Sequence, residues 1–148
     1  MRFGLALPHY DFSLLDEAAE GRPLEFGSIV DVARKAEGLG FDSLWVSDHL
    51  ALSVEKYGGG PGEWFAYEPV TLLSALARHV HRPRLGTLVL CEALRPAAVA
   101  AKALTTLDHL CAGRLDIGIG AGWYEPDYQA IGMDLPTPAE RLARLDEA

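Results

Sequence analysis

Four short apolar runs alternate with helical patterns along the chain, and this alternation constrains the fold more than any other feature. The runs begin at intervals of roughly 30–40 residues and show little polar alternation, which is typical of parallel strands covered on both faces. They are Arg2–Leu7, Ser43–Val46, Arg84–Leu90 and Arg114–Ile119. Strands that alternate with helices predict a parallel sheet with right-handed crossovers. Two α/β architectures fit this order: a doubly wound open sheet, or consecutive units of a (β/α)8 barrel.

Local start and stop signals bound the helices between these runs. The pattern that begins at Phe26 ends at two glycines, and prolines open the second helix at Pro69 and the third before Ala97–Leu110. The phrase Thr137-Pro138-Ala139-Glu140 predicts a capping box at the start of a fourth helix. The predicted order is therefore β-α-β-α-β-α-β-α, and the Gly-rich segment Ser53–Gly62 is predicted as a mobile loop.

Composition and charge exclude several classes of protein. The chain has 148 residues, 49% of them hydrophobic, which is enough for an ordered core and excludes intrinsic disorder. With 13 basic and 21 acidic residues the formal net charge is −8, so we expect no nucleic-acid partner. Because no apolar run is long enough to cross a bilayer, we expect a cytoplasmic protein with no membrane partner. The two cysteines, Cys91 and Cys111, are too few for a disulfide framework, and no side chains show metal-ligand spacing.

Two segments follow predicted strands at their carboxyl ends, where α/β active sites lie. Ser47-Asp48-His49 follows the second strand, and three consecutive residues cannot form a catalytic triad because neighbours point to opposite sides. His49 is a candidate proton donor or acceptor, and a loop capped by Asp48 is the alternative. Gly118-Ile119-Gly120-Ala121-Gly122 follows the fourth strand and would let backbone approach a ligand, although glycines needed only for a tight turn and tight packing are the alternative. It is not a dinucleotide fingerprint, since Trp123 stands at the third glycine position.

Other candidates lie near the same end of the predicted sheet. His9 and Tyr10 follow the first strand and Cys91 ends the third, so each is a candidate pocket residue. An aromatic group at positions 64–67 fits either a hydrophobic pocket or ordinary packing. The remaining histidines lie in or at the ends of helices, where surface positions are expected: His79, His81 and His109.

Three longer phrases resemble signature blocks of the bacterial luciferase-like monooxygenase superfamily. They are Leu39–His49 for its second strand, Arg84–Leu90 with Arg95-Pro96 for its third, and Leu107–Leu110 with Gly113–Trp123 for its fourth. The likeness continues through Glu125–Tyr128 and Pro138–Leu145, so it covers essentially the whole chain. One Gly-rich phrase would be a weak signal, whereas three blocks in the right order at βα spacing are specific.

The resemblance implies a (β/α)8 barrel that binds coenzyme F420 or a flavin at its C-terminal face. The pairing of Ser-Asp-His with Gly-Ala-Gly-Trp looks most like the F420-dependent branch. In that branch the cofactor ring lies over a bulge in the third strand that contains a non-prolyl cis peptide, here expected near Leu88-Val89. The residues that the resemblance assigns to cofactor binding are Asp48, His49, Leu88, Val89, Cys91, Gly120, Ala121 and Gly122, with His49 also catalytic.

The implied reaction is hydride transfer between reduced F420 and an organic small-molecule substrate, with His49 stabilising or protonating the group that gains negative charge. An FMN-dependent monooxygenase of the same fold is the alternative. The sugar-phosphate dehydrogenases of the F420-dependent branch carry a catalytic Glu where this chain has Trp123, which argues against that substrate. Glu92 stands where the family often has Pro or Asn, so we expect a different turn after the third strand.

Length limits how much of such a barrel the chain can form. A (β/α)8 barrel needs about 250 residues, whereas this chain has 148 and supplies four βα units. We therefore expect residues 1–148 to form the N-terminal half of a barrel domain, without the later loops that hold the cofactor phosphate. A half-barrel leaves open sheet edges and an apolar face, which favours a homo-oligomer. An inactive truncated fragment is a third interpretation.

Overall fold

The main sheet has four parallel strands that lie side by side in chain order. The computed structural model describes residues 1–11, 13, 24–53, 55, 62 and 64–148. The strands are β1 (Gly4–Ala6), β2 (Ser43–Val46), β5 (Arg84–Cys91) and β6 (Leu115–Gly120). Each corresponds to one predicted strand, so the predicted parallel α/β sheet is confirmed. Within the described sheet, spatial order follows chain order, without the reversal that marks a doubly wound sheet.

The described part of the chain forms five α-helices. They are α1 (Phe26–Leu39), α2 (Pro69–Leu76), α3 (Ala97–Leu110), α4 (Glu125–Ala130) and α5 (Pro138–Glu147). The bounds of α3 are those predicted, and α5 begins with the predicted capping box, in which Thr137 and Glu140 each bond the other's backbone N–H. The sequence did not predict α4, because six residues are too few to show helical periodicity.

A short antiparallel hairpin that the sequence did not predict lies between β2 and α2. Its strands are β3 (Ala51–Leu52) and β4 (Trp64–Phe65). Two-residue strands carry too little alternation to be recognised from the sequence. Most of the predicted mobile loop Ser53–Gly62 lies outside the described residues.

The hydrophobic core lies between one face of the sheet and helices α1, α2 and α3. Its fully buried side chains come from both layers and include Ile29 and Ala33 of α1, Leu73 and Leu76 of α2, Leu107 of α3, and Leu44 and Leu85 of the strands. Leu44 and Val46 are buried and alternate with half-buried residues along β2, as the twofold repeat of a strand requires.

Trp45 covers the opposite face of the sheet between β1 and β5. The strand pairing places Ala6 on one side of it and Gly86 on the other. A Cβ atom would lie 2.5 Å from the indole at Gly4 and 2.4 Å from it at Gly86, so these two glycines make room for the ring. The indole Nε1 donates to Oγ of Ser43 at 2.8 Å.

The regular pairing of β5 is interrupted in its second half. The Leu88–Val89 peptide bond is cis, at the position where the resemblance placed one. The β5–β6 pairing shifts register between Thr87 and Leu90. Oγ1 of Thr87 donates to the carbonyl of Gly118 at 2.9 Å and accepts the Gly118 N–H at 3.1 Å, so this side chain joins β5 to β6 beside the shift. Leu88 is 60% exposed and Val89 39% exposed, so the interruption presents two apolar side chains.

Candidate active site

Three consecutive residues after β2 enter three separate hydrogen-bond networks. Neighbouring side chains of an extended segment point in different directions, so Ser47, Asp48 and His49 each reach another part of the fold. Their side-chain partners, in that order, are His9 with Tyr10, Arg95, and Asp127. The geometry agrees with the expectation that these three residues do not form a triad among themselves.

A buried carboxylate from α4 orients His49. Nδ1 of His49 lies 2.7 Å from Oδ2 of Asp127, and Oδ1 of Asp127 accepts the N–H of Leu50 at 3.0 Å. Because an ionised carboxylate only accepts hydrogen bonds, we assign the proton of the neutral ring to Nδ1. Nε2 then carries a lone pair, and none of the residues that the structure describes hydrogen bonds to it. His49 is therefore held in one orientation with its second nitrogen available for proton transfer.

Two aromatic rings pack against the imidazole edge-on. The ring centroids of His49 and Tyr124 are 5.5 Å apart at 90°, and those of His49 and Trp123 are 5.7 Å apart at 79°. The hydroxyl of Tyr124 accepts the N–H of Ser53 at 3.0 Å, which ties it to the segment after β3. Trp123 stays 50% exposed. The imidazole of His49 therefore contacts two aromatic rings in addition to its polar partner Asp127, and one of these rings is partly exposed.

Asp48 is committed to a partly buried ion pair. Its Oδ2 accepts from Arg95 at 2.5 Å and from the backbone N–H of Cys91 at 2.9 Å, while Oδ1 accepts from Arg95 at 3.0 Å. Arg95 also donates to Glu68 at 2.7 Å. Burial alone would raise the pKa of Glu68, but hydrogen bonds from Thr71 and Arg95 lower that pKa overall. Asp48 therefore joins the end of β2 directly to the end of β5, and through Arg95 to Glu68 at the start of α2.

Ser47 is held by two side chains from the end of β1. Nδ1 of His9 donates to the carbonyl of Leu7 at 2.8 Å, so Nε2 is the acceptor for Ser47, with Oγ at 3.0 Å and N at 3.2 Å. The hydroxyl of Tyr10 lies 2.5 Å from Oγ of Ser47. Burial lowers the pKa of His9 and raises the pKa of Tyr10, so both side chains are neutral at pH 7.

A cavity of about 120 Å³ lies where these networks meet. Six of the eight predicted cofactor-binding residues line it: Asp48, His49, Leu88, Val89, Cys91 and Gly122. The other two, Gly120 and Ala121, lie beside the cavity without lining it, and the carbonyl of Ala121 accepts the hydroxyl of Tyr128 at 2.8 Å. Burial raises the pKa of the Cys91 thiol, which keeps it protonated at neutral pH.

The glycines after β6 make room for protein side chains. Gly122 has φ of 72°, and a Cβ atom there would lie 2.5 Å from the hydroxyl of Tyr128 and 2.7 Å from Sγ of Cys91. A Cβ atom at Gly120 would lie 2.6 Å from Cγ2 of Val89. The tight-packing interpretation of the Gly-rich segment therefore accounts for these two positions, and their contact with a cofactor stays a prediction.

Asp127 is the residue of this site that sequence reasoning missed. It lies 78 residues from its partner His49, so nothing local in the sequence joins the two. The signal that could have found it is an acidic residue in the first turn of a helix directly after the Gly-rich turn. Arg95 was quoted only as part of a family block, without a role.

The remaining candidates lie away from the cavity. Tyr67 donates its hydroxyl to the carbonyl of Leu24 at 2.8 Å and packs against the core, while Phe65 is 71% exposed. His81 and His109 are exposed, as expected of helix-end histidines. Residues Glu92–Leu94 form one turn of 3-10 helix after β5.

The described helices are too short to cross a membrane, since α1 and α3 have 14 residues each. A membrane span takes about 20 apolar residues. Within the described ranges, His, Cys, Asp and Glu side chains form no group of three that could hold a metal ion.

The chain belongs to the luciferase-like monooxygenase family, whose family model matches residues 1–148. It is 35% identical over 127 residues to the F420-dependent glucose-6-phosphate dehydrogenase of Amycolatopsis mediterranei (strain U-32), a match covering 84% of this chain and 36% of the relative. It is 32% identical over 116 residues to the FMNH2-dependent dimethylsulfone monooxygenase of Pseudomonas fluorescens (strain Pf0-1), covering 78% of this chain and 30% of the relative. The chain therefore spans about a third of the length of these curated relatives, both of which are enzymes.

Solved structures share the same fold. A monooxygenase from Streptomyces bottropensis matches with a TM-score of 0.75 and 28% identity, over 99% of this chain and 40% of that one. An F420-dependent secondary alcohol dehydrogenase, solved with an F420-acetone adduct, matches with a TM-score of 0.72 over 97% of this chain and 38% of that one. At 20% identity the second match shows the fold alone. The predicted family of oxidoreductases and monooxygenases is confirmed.

Proposed function

We propose that the chain forms the first four βα units of a (β/α)8 barrel and belongs to an F420-dependent oxidoreductase. The observation that carries the proposal is the His49–Asp127 pair, which leaves Nε2 of His49 available beside the exposed Leu88 and Val89. The F420-dependent relative from Amycolatopsis supports this cofactor. The cytoplasmic location and the homo-oligomeric state stay predictions.

The residues around the cavity fit a flat heteroaromatic ring. Leu88 and Val89 offer an apolar surface of the kind that a ring face requires, and both remain exposed. His49 and the thiol of Cys91 line the same cavity, and no described residue hydrogen bonds to Nε2 of His49. We propose that these residues, with Asp48 behind them and the backbone of Gly120–Gly122 beside them, hold the ring of F420.

His49 acts as the proton donor and acceptor of the proposed reaction. Bound F420 supplies or accepts a hydride. In the direction of substrate reduction, Nε2 of protonated His49 donates its proton to the oxygen that gains negative charge. In the direction of oxidation, the lone pair on Nε2 accepts that proton. Asp127 keeps the proton of the neutral ring on Nδ1.

The second candidate is an FMN-dependent monooxygenase, and the Pseudomonas relative is the observation that favours it. The same apolar surface and the same histidine would serve a flavin ring. The two candidates differ in chemistry, because reduced flavins react with oxygen and deazaflavins do not. The identity of the bound cofactor therefore decides the class of reaction.

Anaerobic titration of the 148-residue chain with F420 and with FMN tests the proposal, using the fluorescence of each cofactor as the signal. We expect F420 to respond and FMN to respond more weakly or not at all. In Leu88→Glu a charge replaces the proposed apolar surface, so F420 binding should weaken about tenfold or more. Val99→Glu, on α3, places the same charge at a side chain that is also exposed, by 57%, and should leave binding unchanged.

Each outcome of the titration has one meaning. FMN binding without an F420 response rejects the F420 proposal in favour of the monooxygenase. Equal effects of Leu88→Glu and Val99→Glu reject the placement of the ring on Leu88. Binding of neither cofactor to the folded chain favours the inactive half-barrel.

A further inference from the structure

The apolar surface formed by Leu88 and Val89 lies between two anchors on β5. Before it, the hydroxyl of Thr87 makes two hydrogen bonds to one residue of β6. After it, the backbone N–H of the buried Cys91 donates to Oδ2 of Asp48 at 2.9 Å. The pairing of β5 with β6 shifts register between these anchors. The position of the apolar surface therefore depends on both anchors, and one of them is a single carboxylate.

Arg95 orients the carboxylate that forms the second anchor. Both terminal nitrogens of Arg95 donate to Asp48, one to each carboxylate oxygen. Paired hydrogen bonds from a planar guanidinium fix the plane of a carboxylate as well as its distance. The side chain of Asp48 is 2% exposed, so water has little access to replace these bonds. The orientation of Asp48, and with it the acceptor for the N–H of Cys91, therefore depends on Arg95.

Arg95 acts on the cavity from outside it. Asp48 and Cys91 line the cavity, whereas Arg95 is not among its described lining residues. Arg95 lies directly before the N-cap residue of α3. Its other partner is Glu68, the N-cap residue of α2, which also accepts the N–H of Thr71 at 2.6 Å. The starts of two helices thus hold the guanidinium against Asp48.

We propose that Arg95 is a positioning residue that, by holding Asp48, places the apolar surface for the cofactor ring. The inference rests on the proposed function, in which this surface contacts the ring of F420. Arg95 itself neither touches the ring nor exchanges a proton with the substrate. Its shape is required in addition to its charge, because lysine is a point charge that cannot make two parallel hydrogen bonds to one carboxylate.

Arg95→Lys tests the placement by methyl NMR of the cofactor-free chain. The positive charge beside Asp48 is kept, so we expect the variant to fold and the methyl signals of Leu88 and Val89 to shift. Arg84→Lys is the matched control, because Arg84 also bonds a carboxylate, that of Asp116, with two nitrogens, at the other end of β5. This control should leave the same methyl signals in place.

Fluorescence titration with F420 tests the consequence for binding. Arg95→Lys should weaken F420 binding about fivefold or more. In an Asp48→Asn background the same substitution should change the affinity by less than about twofold, because the amide no longer offers two oxygens for the guanidinium to hold. Equal effects of Arg95→Lys in the two backgrounds would show that Arg95 acts by another route, and would reject the proposal.

A second variant serves if Arg95→Lys does not fold. Asp48→Asn combined with Arg95→Gln removes both charges together, so no buried charge is left unpaired. The same methyl shifts and the same loss of F420 affinity are expected. Unmoved methyl signals, unchanged F420 affinity, or equal shifts in Arg84→Lys overturn the proposal. Because the NMR measurement needs no cofactor, shifted signals in a chain that binds no F420 keep the placement by Arg95 and reject the proposed cofactor.

Discussion

Oδ2 of Asp127 lies 2.7 Å from Nδ1 of His49, although 78 residues separate the two in the chain. The same carboxylate accepts the N–H of Leu50 through its other oxygen. The buried side chain of Asp127 therefore selects the tautomer of His49 and also binds the backbone N–H of the next residue, Leu50. This double role makes Asp127 the position from which the site can be tested most directly.

Asp127→Asn should disturb His49 while leaving the fold in place. The amide has one acceptor oxygen for two N–H donors, so one buried N–H group loses its partner at a cost of about 1–3 kcal/mol. We expect a mixture of His49 tautomers, measured by long-range 1H–15N NMR, together with lower stability to urea. Glu125→Gln changes an exposed carboxylate of the same helix and is the control. If His49 keeps the Nδ1–H tautomer in Asp127→Asn, Asp127 does not select that tautomer.

Asp48→Ala should be among the more destabilising changes at the site. The side chain of Asp48 is 2% exposed and that of Arg95 is 17% exposed, so removing the carboxylate leaves a partly buried guanidinium without its main partner. We expect a loss of about 3 kcal/mol in the free energy of unfolding, measured with urea.

Glu68→Gln is the matched control for that change. The side chain of Glu68 is 45% exposed, and solvent screens its pairing with Arg95, so the expected loss is below about 1 kcal/mol. Similar losses in the two variants would show that Asp48 is not the dominant partner of Arg95.

His9 should make the protein less stable as the pH falls below neutrality. Burial lowers the pKa of His9 in the folded state, so between that pKa and the ordinary value near 6.5 the unfolded chain binds more protons than the folded one. Stability therefore decreases as the pH falls through about 6.5, by at most about 1.4 kcal/mol per pH unit for one group. Below the folded-state pKa this contribution stops changing.

Urea unfolding between pH 7.5 and 5 measures the effect. His9→Gln keeps an acceptor for Ser47 but cannot titrate, so its stability should depend less on pH than that of the unaltered chain. His81→Gln removes an exposed histidine and should leave the pH dependence as it was. An identical pH slope in His9→Gln would contradict the assignment to His9.

Gly122→Ala should lower the free energy of unfolding by more than the strain of the left-handed backbone alone. Gly122 has φ of 72° and Gly132 has φ of 76°, so alanine at either position is strained by about 1–2 kcal/mol. Only at Gly122 would the new Cβ atom also meet Tyr128 and Cys91, whereas Gly132 has nothing within 4 Å. We expect Gly122→Ala to lose about 1–3 kcal/mol more than Gly132→Ala in urea unfolding. Equal losses would mean that Tyr128 and Cys91 move away from the new Cβ atom at no cost in free energy.

Sequence reasoning predicted the parts of the fold that local signals specify. The bounds of Ser43–Val46 and Ala97–Leu110 match because an apolar run and a proline start are read directly from neighbouring residues. The hairpin of β3 and β4 was not predicted, because its pairing joins residues on either side of a Gly-rich segment. Local patterns do not contain such pairings.

The residues of the candidate site divide in the same way, into those that a strand end places and those that distant packing brings together. His49 was placed correctly at the carboxyl end of β2, because its position after the strand fixes where it emerges. Asp127 and Arg95 were not assigned, because their contacts with His49 and Asp48 depend on how distant elements pack. Asp48 was expected at the cofactor; its oxygens accept three hydrogen bonds from the protein, and its contact with a cofactor stays a prediction.

The segment Ser47-Asp48-His49 sends successive side chains into three networks, and this has a consequence for how the family can diverge. Replacement at one of the three positions alters one network and leaves the other two intact. Insertion or deletion of a single residue after Val46 would move every following side chain out of phase and break all three at once. We therefore expect the spacing between these three residues to be fixed across the family.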